Sequence, residues 1–375
     1  MAKLRFILAA GGTGGHLAPA LALALALKKA RPEADCLFIG SGRPVEAKML
    51  DSSGFRRVVL RSSGWKGQGP LGRIKALWRA LTAFREAWGL IRGYRPQVCF
   101  GASGYVTAPV GLAAWILRVP LAVHEQNSRA GLSNKLLGRL ADRVMLGFGE
   151  AASSFPAAKT VVTGNPVRPE IAALGQVRRS FGPPPLTVLV TGGSQGARGL
   201  NLAAAPALAA LGRAGPPLKI VHQAGAADLE AVRAVYREAG LAAEVEDFFQ
   251  DMAGLYRRVD LVVSRAGAIT VTELAAAGLP AVLVPLPTAA DDHQTINARL
   301  LESVGAAVVL PQPGLSPAAL SEVLAGLLAR PEKLAAMSRA AVKLARPDAA
   351  ERMAAICLEL AGANREPEGR IGGGG

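Results

Sequence analysis

Short apolar runs recur along the chain, and stretches of helix-forming residues separate them. In the first half the runs are Leu4–Ala10, Cys36–Ile39, Val58–Leu60, Val98–Phe100, Leu121–Val123 and Val144–Leu146. In the second half they are Leu186–Val190, Lys219–His222, Leu261–Ser264, Ala281–Pro285 and Ala307–Leu310. Runs of this length and composition are typical of parallel strands that are buried on both faces, so the pattern predicts an α/β chain built from βαβ units.

Two segments of the chain open with the same local pattern. In AAGGTGG at 9–15 and in VTGGSQG at 190–196, a strand-like run enters a glycine-rich turn that leads into a helical stretch. The repeat predicts two Rossmann-like halves, one over residues 1–167 and one over 168–346. The linker is predicted near Val161–Leu186, which is rich in proline, and the glycine-rich tail 366–375 is predicted to be disordered.

The basic residues are distributed unevenly between the two halves. The chain has 375 residues, 50% of them hydrophobic, and a net charge of +15. Residues 1–167 contain 23 Lys and Arg against 8 Asp and Glu, whereas residues 168–375 contain 20 of each. The first half is therefore predicted to face an anionic partner, and nucleic acid, an anionic membrane surface and a phosphorylated substrate all fit this charge.

The sequence predicts neither a membrane span nor a cysteine cluster. Leu17–Leu27 is apolar but has only about half the length of a span. The longer run Tyr105–Val123 contains Pro109, Arg118 and Pro120, so it predicts a buried helix followed by a strand. The three cysteines are far apart and form no CxxC pair, which argues against a disulfide scaffold and a zinc cluster. We expect a cytoplasmic protein without a spanning helix.

The first glycine-rich loop, residues 11–16, indicates an anion site. Glycines let a ligand approach the backbone, and a helix N-terminus offers free N–H groups and about half a positive charge. The loop matches neither GxGxxG nor a Walker A loop, which disfavours a dinucleotide site. A tight turn alone explains one or two glycines, but not four in the five residues of GGTGG. In the second loop, Ser194 is placed to donate to a phosphate.

Polar clusters follow three of the strand-like runs, at His124–Asn127, Ser264–Glu273 and Asp291–Gln294. The carboxyl ends of parallel strands form the ligand-binding edge of a doubly wound sheet, so these clusters are candidate site residues. Glu273 can accept hydrogen bonds from a sugar diol, or it can merely interact with the dipole of its helix. The four histidines, His16, His124, His222 and His293, each adjoin a strand-like run, so their positions also suggest site residues. They lack metal-ligand spacing and the chain has no DxD motif, so neither a metal nor a cofactor is predicted.

Residues 70–88 predict an amphipathic helix. Its apolar stripe contains Leu71, Ile74, Leu77, Trp78, Leu81, Phe84 and Trp88, and its cations are Arg73, Lys75, Arg79 and Arg85. A helix with tryptophan and flanking cations can lie in a membrane interface. The alternative is an ordinary surface helix that packs on the sheet.

Eight motifs occur in order over about residues 3–365. They are GGTGGH at 11–16, GASGYVTAP at 101–109, HEQN at 124–127, TGNPVR at 163–168, GGSQGAR at 192–198, DMAGLY at 251–256, SRAGAITVTELAAAGLPAVLVP at 264–285 and DDHQTINA at 291–298. In this order they resemble the MurG family of bacterial N-acetylglucosaminyltransferases. His293 departs from the pattern, because some relatives have a second glutamine there.

The resemblance implies a GT-B fold, in which two Rossmann-like domains face each other across a cleft. A last helix at about 347–365 would return to the first domain. The second domain would hold the donor UDP-GlcNAc, and the first would face the acceptor, an undecaprenyl-diphosphate-linked muramyl-pentapeptide. The implied activity is inverting, metal-independent transfer of N-acetylglucosamine in peptidoglycan synthesis. It would take place at the cytoplasmic face of the cell membrane, with an anionic membrane surface and other cell-wall synthesis proteins as partners.

The resemblance also assigns roles to residues at matching motif positions. Ser194 is expected to contact a phosphate, Glu273 the ribose, Phe249 the uracil and Gln294 the sugar. Further donor contacts are expected from Thr13, Gly14, Gly15, Asn127, Arg168, Ala268, Ile269, Thr270, Val271 and Thr272.

The implied chemistry requires a base and a stabilised leaving group. The base would accept the proton of the acceptor hydroxyl, and the charge of the departing UDP needs stabilisation. His16 is the first candidate base because the intrinsic pKa of histidine suits neutral pH, and Glu125 is the alternative. The helix N-terminus at Ser194 is expected to take the place of a metal ion.

Two other functional classes remain open. One is another GT-B enzyme, such as a UDP-sugar epimerase or a galactosyl-lipid synthase, and the NPVR and HEQN segments argue against it. The other is a non-catalytic UDP-sugar-binding or membrane scaffold protein, and the presence of His16, Glu125 and Glu273 argues against that. No nucleic-acid partner is predicted, because no basic run is interleaved with aromatic residues outside 70–88.

Overall fold

The computed structural model describes residues 3–11, 14–51, 53–60, 70–193 and 196–363, without the side chains at 45, 48, 70–77 and 290. The predicted disordered tail 366–375 lies outside these residues. The chain divides into two compact units. One unit runs to Pro166 and resumes at Asp348, and the other spans Val167–Pro347.

The first unit is a parallel sheet of seven strands with helices on both faces. Its strands are β1 (Arg5–Ala9), β2 (Asp35–Gly40), β3 (Arg56–Val59), β4 (Val98–Gly101), β5 (Leu121–Glu125), β6 (Arg143–Leu146) and β7 (Thr160–Val162). Its helices are α1 (Gly14–Ala30), α2 (Pro44–Asp51), α3 (Pro70–Tyr94), α4 (Thr107–Ile116), α5 (Leu132–Leu140) and, at the end of the chain, α14 (Ala349–Ala363). The strand order is β3-β2-β1-β4-β5-β6-β7.

Alternate residues of the central strands enter two separate cores. Leu8 faces the core that α1 and α14 cover, whereas its neighbour Ile7 faces the core that α3 and α4 cover. Both faces of the sheet are therefore shielded from water, which explains why the strands read as continuous apolar runs.

The last helix, α14, belongs to the first unit. Met353 and Cys357 of α14 are fully buried in the same core as Leu17 and Leu23 of α1. The helix thus returns to the first sheet after the second unit is complete. It occupies most of the range, about 347–365, over which a returning helix was predicted.

The second unit is a parallel sheet of six strands. Its strands are β8 (Leu186–Thr191), β9 (Leu218–Gln223), β10 (Ala243–Glu246), β11 (Leu261–Ser264), β12 (Ala281–Leu283) and β13 (Ala307–Val309). Its helices are α6 (Pro169–Ala172), α7 (Arg198–Ala214), α8 (Leu229–Glu238), α9 (Met252–Arg258), α10 (Ala268–Ala277), α11 (His293–Ser303), α12 (Pro317–Leu328) and α13 (Pro331–Leu344). The strand order is β10-β9-β8-β11-β12-β13.

The Rossmann-like topology predicted for each half is confirmed. Every predicted strand is present, but β7 and β10 were not predicted. Both are edge strands, and the alternation of alanine or valine with glutamate in β10 is too polar to form an apolar run. Because β7 includes Val161, the predicted linker begins too early.

Each sheet has one switch point, where the strand order changes direction. It lies between β1 and β4 in the first unit and between β8 and β11 in the second. Ligands of doubly wound folds bind beyond the carboxyl ends of the strands at such a point. Among the helices that the structure describes, none combines the length and apolar character needed to cross a membrane.

Candidate active site

The glycine-rich loop of the second unit follows β8 at the switch point. Its glycines are required by close packing, since a Cβ on Gly192 would lie 2.4 Å from the Ala197 nitrogen and a Cβ on Gly196 would lie 2.3 Å from the Ala224 oxygen. Gly193 and Gly196 also have positive φ angles of 86° and 73°. The loop therefore brings bare backbone to the start of α7.

Gln223, at the end of β9, connects this loop with the predicted uracil side of the site. Its Nε2 donates to the Gly193 oxygen at 2.8 Å, and its Oε1 accepts from the backbone nitrogen of Phe249 at 3.0 Å. The half-buried Phe249 is thus held on the segment that follows β10. The predicted phosphate ligand Ser194 lies outside the described residues.

The corresponding loop of the first unit packs against the loop that follows β4. A Cβ on Gly104, which has a φ angle of 96°, would lie 2.5 Å from the oxygen of Gly11. Gly14, Gly15 and the half-buried His16 form the first turn of α1. The two loops therefore meet at the switch point of the first sheet, and the predicted contact Thr13 lies outside the described residues.

The start of α10 lies at the switch point of the second sheet. Gly267 caps the helix without a side chain, so backbone N–H groups at Ala268, Ile269 and Thr270 form an open first turn. Val271 and Thr272 are buried. Since the Thr272 hydroxyl donates to the Ala268 oxygen at 2.8 Å, its proton is used within the helix.

Arg168 and Glu273 form an ion pair in the second unit. Arg168 Nη2 lies 3.0 Å from Glu273 Oε1, and the Tyr256 hydroxyl donates to Oε2 at 3.4 Å. Burial raises the pKa of Glu273, and the Arg168 guanidinium opposes this rise. Two residues that were predicted to contact the donor substrate, Arg168 and Glu273, therefore lie together. The Glu273 carboxylate keeps lone pairs that can accept hydrogen bonds from hydroxyl groups.

Gln294 joins the loops that follow β11 and β12. Its Oε1 accepts from the backbone nitrogens of Ala266 at 3.2 Å and Leu286 at 3.0 Å. These two donors fix the orientation of the amide, so its Nε2 is the group left to meet a ligand. Next to it, Asp291 and Asp292 both have positive φ angles, which marks a strained segment beside the site.

Glu125 is held by its own loop in the first unit. Its Oε1 accepts from the backbone and side-chain nitrogens of Asn127 at 2.9 and 3.2 Å. Its Oε2 accepts from the Gly131 nitrogen and from Asn134 Nδ2, both at 3.0 Å. The four hydrogen bonds to this buried carboxylate hold the loop in shape and occupy both of its oxygens.

His124 and His222 are buried strand residues. Burial lowers the pKa of His124 to about 4 and that of His222 to about 3. The Asn201 amide nitrogen donates to two oxygens, so its oxygen must accept from His222 Nε2 at 3.1 Å, and His222 Nδ1 accepts from the Tyr236 hydroxyl. His222 is therefore a neutral structural histidine, unlike the site residue that its strand-end position suggested.

Metal-binding geometry is absent from the described part of the chain. Over residues 3–11, 14–51, 53–60, 70–193 and 196–363, no three histidine, cysteine or acidic side chains converge as metal ligands would.

Comparison with known proteins decides the family. The model of the glycosyltransferase family 28 N-terminal domain matches residues 6–146, and that of its C-terminal domain matches 187–353. The chain is 44% identical over 368 residues to a transferase of Aeromonas hydrophila named UDP-N-acetylglucosamine–N-acetylmuramyl-(pentapeptide) pyrophosphoryl-undecaprenol N-acetylglucosamine transferase. That match covers 98% of this chain and 100% of the relative. The chain belongs to the MurG family.

Solved structures agree with membership of the MurG family. The crystal structure of Acinetobacter baumannii MurG matches with a TM-score of 0.78 at 34% identity, over 96% of this chain and 100% of that one. A UDP-GlcNAc 2-epimerase from Neisseria meningitidis matches with a TM-score of 0.69 at 13% identity, over 95% of this chain and 100% of the other. The second likeness shows the fold alone. The predicted pair of Rossmann-like domains of the GT-B fold is confirmed.

Several functional candidates of this MurG-family chain were missed by the sequence analysis. Tyr256 and Arg265 lie within quoted motifs, but nothing in their spacing shows that one contacts Glu273 and the other is buried. Exposed apolar side chains on α4 and α5 were also missed, those on α4 because the run at 105–123 was interpreted as buried. The most exposed of them are Trp115 on α4 and Leu132 on α5.

Proposed function

We propose that the chain transfers N-acetylglucosamine from UDP-GlcNAc to the lipid-linked muramyl-pentapeptide of peptidoglycan synthesis. The observation that carries the proposal is the match to the Aeromonas hydrophila transferase over nearly the whole of both chains. The geometry supports it, because each unit presents a glycine-rich loop and a helix N-terminus at its switch point. Such elements suit a substrate pair in which both partners carry a diphosphate.

The donor is assigned to the second unit. The Glu273 carboxylate would accept hydrogen bonds from the ribose hydroxyls while Arg168 and Tyr256 hold it in place. The open N–H groups of α10 would bind the diphosphate, and Gln294 would donate from Nε2 to a sugar hydroxyl. Phe249 would lie beside the uracil.

The reaction is an inverting displacement. The acceptor hydroxyl oxygen forms a bond to the anomeric carbon, and the bond from that carbon to the UDP oxygen breaks with its electron pair going to UDP. Helix N-termini and fixed cations would stabilise the charge that develops on UDP. The proposal requires no metal ion.

His16 is the base that we assign to this displacement. It lies in the first turn of α1, beside the loops at the first switch point. The alternative, Glu125, already accepts four hydrogen bonds from its own loop. Because these hydrogen bonds already occupy both carboxylate oxygens of Glu125, the geometry favours His16.

A membrane-facing surface is assigned to the first unit. Trp78 and Leu81 of α3 are exposed, whereas Phe84 and Trp88 pack against the core. In the apolar stripe predicted over 70–88, the exposed residues therefore fit a membrane-interface helix. The buried ones fit a surface helix that packs on the sheet. The side chains at Leu71, Arg73, Ile74 and Lys75 lie outside the described residues.

Neighbouring helices of the first unit also carry exposed apolar side chains. Trp115 of α4 and Leu132 and Leu136 of α5 are also exposed, and α4 packs against both α3 and α5. We call Trp78, Leu81, Trp115, Leu132 and Leu136 the apolar patch. A patch of this kind on the basic unit suits reversible binding to an anionic membrane that carries the acceptor.

A transfer assay tests the proposed function. Sugar-labelled UDP-GlcNAc and a short-chain, water-soluble lipid acceptor should give a β-linked labelled product and UDP, with EDTA having no effect. Acceptor-independent formation of the 2-epimer would instead show an epimerase. Donor binding without any turnover would show a non-catalytic protein.

A further inference from the structure

Ser103 has a left-handed backbone at the switch point of the first sheet. It lies just beyond the end of β4, and its φ angle is 68°, in the region that favours glycine. The next residue, Gly104, packs against Gly11 of the first glycine-rich loop. A residue with a Cβ is strained in this conformation, so it persists only where other contacts hold it. The contacts of Ser103 therefore indicate why a serine occupies the position.

Thr107, in the first turn of α4, holds the backbone of this turn. Its hydroxyl donates to the Ser103 oxygen at 2.8 Å and lies 3.3 Å from the oxygen of Ala9 at the end of β1. Its backbone nitrogen donates to the oxygen of Gly104 at 3.3 Å. A glycine at position 103 would keep all of these contacts. They explain the turn, but they do not explain the serine side chain.

The Ser103 hydroxyl joins the network around Glu125. Its Oγ accepts from Asn134 Nδ2 at 2.7 Å and donates to the His124 oxygen at 3.4 Å. Asn134, on α5, is buried, and its Nδ2 also donates to Glu125 Oε2 at 3.0 Å and to the His124 oxygen at 3.1 Å. Of these three acceptors, Ser103 Oγ is the nearest to the amide nitrogen. The serine side chain therefore links the turn after β4 with α5 and with the end of β5.

The orientation of the Asn134 amide depends on these three acceptors. Its Oδ1 is buried without a hydrogen-bond partner. The carboxylate of Glu125 and the backbone oxygen of His124 accept hydrogen bonds, so the amide nitrogen has to face them. Loss of the Ser103 hydroxyl removes the shortest of the three bonds. The amide is then freer to turn, because nothing holds its oxygen.

Glu125 in turn holds the loop between β5 and α5. Its carboxylate accepts from the backbone nitrogens of Asn127 at 2.9 Å and Gly131 at 3.0 Å. This loop follows β5 at the same edge of the sheet as the turn at Ser103, and it carries Asn127, which we expect to contact the donor. Ser103 thus acts on this loop through two intermediate side chains, those of Asn134 and Glu125.

Arg95 provides a contrast at the other end of β4. It also has a positive φ angle, 52°, but it directly follows α3 and precedes β4. Its backbone nitrogen donates to the Ile91 oxygen at 2.9 Å. Helices commonly end on a left-handed residue, so the helix end accounts for the conformation of Arg95. Arg95 is exposed and lies at the opposite edge of the sheet from Ser103.

We infer that Ser103 is a positioning residue of the first unit, whose hydroxyl orients Asn134 and thereby fixes the loop at 125–131 for the transfer reaction. This role rests on the proposed function. Glycine would relax the turn but could not hold the amide of Asn134. The strain at Ser103 is therefore the consequence of placing a hydroxyl where the backbone geometry favours glycine.

Two substitutions separate the hydroxyl from the strain. Ser103→Gly and Ser103→Ala both remove the hydroxyl, but only glycine relaxes the backbone. Ser103→Gly should therefore melt about 2–4 °C above Ser103→Ala. Both variants should nevertheless lose about tenfold in kcat on the water-soluble acceptor, because the loop is no longer held in its reactive position. UDP, which is assigned to the second unit, should bind both variants within about threefold of the parent.

Arg95→Gly is the matched control, because it relaxes the same kind of strain at the opposite end of β4. It should melt no lower than the parent and should keep the parent's kcat. Hydrogen exchange gives a readout that does not depend on activity. Peptides that cover residues 125–131 should exchange about tenfold faster in both Ser103 variants, and at the parent's rate in Arg95→Gly.

A double variant tests whether Ser103 acts through Asn134. Asn134→Ala should itself lower kcat, because it removes the amide that holds Glu125. Adding Ser103→Gly to Asn134→Ala should lower kcat no further, since the hydroxyl then has no amide left to orient.

Two results would overturn the inference. In the first, Ser103→Gly keeps the parent's kcat and exchange rates, so that the hydroxyl has no role in the reaction. In the second, the losses of the two single variants multiply in the double variant, so that Ser103 acts independently of Asn134. Failure of the proposed function looks different, because the parent chain itself would then show no transfer. The exchange rates alone would in that case decide whether the hydroxyl holds the loop, and Ser103→Gly decides the matter if Ser103→Ala does not fold.

Discussion

The two units of the chain share a topology and differ in what lies at their switch points. Both place a glycine-rich loop after the first strand and a helix N-terminus beyond it. In the second unit the acidic residue beside this point, Glu273, pairs with Arg168 and keeps lone pairs for a ligand. In the first unit the acidic residue Glu125 is used by its own loop. The scaffold thus sets the place of a site, and individual strand-end residues set its chemistry.

The outer surfaces of the units differ as well. The first unit carries the apolar patch and most of the positive charge, with 26 Lys and Arg against 13 Asp and Glu, whereas the second unit has 17 against 15. This difference supports our proposal that the first unit binds the lipid-linked acceptor and the second unit binds the nucleotide donor. Mutations in each unit test this division of labour.

The largest effect is expected at His16. His16→Ala should lower kcat about 10²- to 10⁴-fold, the usual contribution of a general base, and should leave UDP binding nearly intact. Steady-state kinetics and calorimetry measure the two quantities. Near-normal kcat in His16→Ala, together with loss of kcat in Glu125→Gln that has the parent's melting temperature, would transfer the role of base to Glu125.

In the second unit, mutation of Glu273 should weaken the binding of UDP-GlcNAc. Glu273→Ala removes the proposed ribose acceptor and leaves Arg168 without its partner, so UDP-GlcNAc should bind roughly ten- to a hundredfold more weakly, which corresponds to ~1.5–3 kcal/mol. Tyr256→Phe removes only a support of the carboxylate and should have a smaller effect. An unchanged donor KM and Kd in Glu273→Ala would remove the carboxylate from the donor site.

These two sites show what the sequence could predict. The strand–glycine–helix pattern was enough to place both glycine-rich loops at the switch points. The tight turn between strand and helix requires glycine there, independently of which ligand the loop binds. The ion pair of Arg168 with Glu273 joins residues 105 positions apart. No local pattern encodes such a contact, and only the family resemblance brought both residues into the prediction.

The remaining differences have a common physical cause. His124 and His222 were grouped with His16 because all three adjoin strand ends. Burial is decided by the helices that cover each sheet face, and the sequence pattern of the strand does not reveal this. The exposed Trp115 was missed for the same reason. The apolar sequence of its helix does not show which residues face the core and which face water.

The two buried histidines should make both units sensitive to acid. In the unfolded chain the histidine pKa is about 6.5, whereas burial lowers it to about 4 in His124 and about 3 in His222. Below pH 6.5 the unfolded chain therefore binds protons that the folded chain does not, and stability falls as the pH drops. Each histidine should lower the free energy of unfolding by ~2 kcal/mol between pH 7 and pH 5.

Urea denaturation at the two pH values measures this effect. His222→Gln is the informative variant, because it removes one titrating group. The change in unfolding free energy between pH 7 and pH 5 should therefore be smaller by ~2 kcal/mol than in the parent. Equal pH dependence in the parent and in His222→Gln would mean that the ring is already protonated, or already accessible, in the folded chain.

The smallest effect is expected at the membrane surface. Trp78→Ser with Leu132→Ser should weaken binding to anionic vesicles by about tenfold, because apolar side chains then no longer insert below the headgroups. Val177→Ser with Leu202→Ser is the matched control in the second unit. The four side chains are similarly exposed, at 69% and 73% in the first pair and 71% and 63% in the second. Equal losses in both pairs would contradict a membrane role for the first unit.

Charge on the same helix gives an independent test of this role. Each basic residue near an anionic leaflet contributes ~1 kcal/mol, so replacing Arg73, Lys75 and Arg79 by Gln should reduce vesicle binding, as should raised salt. Activity on a long-chain acceptor should fall with the binding, while activity on the water-soluble short-chain acceptor persists. If the triple variant loses both activities equally, α3 acts as a structural helix. The difference between the two units then lies in their sites alone.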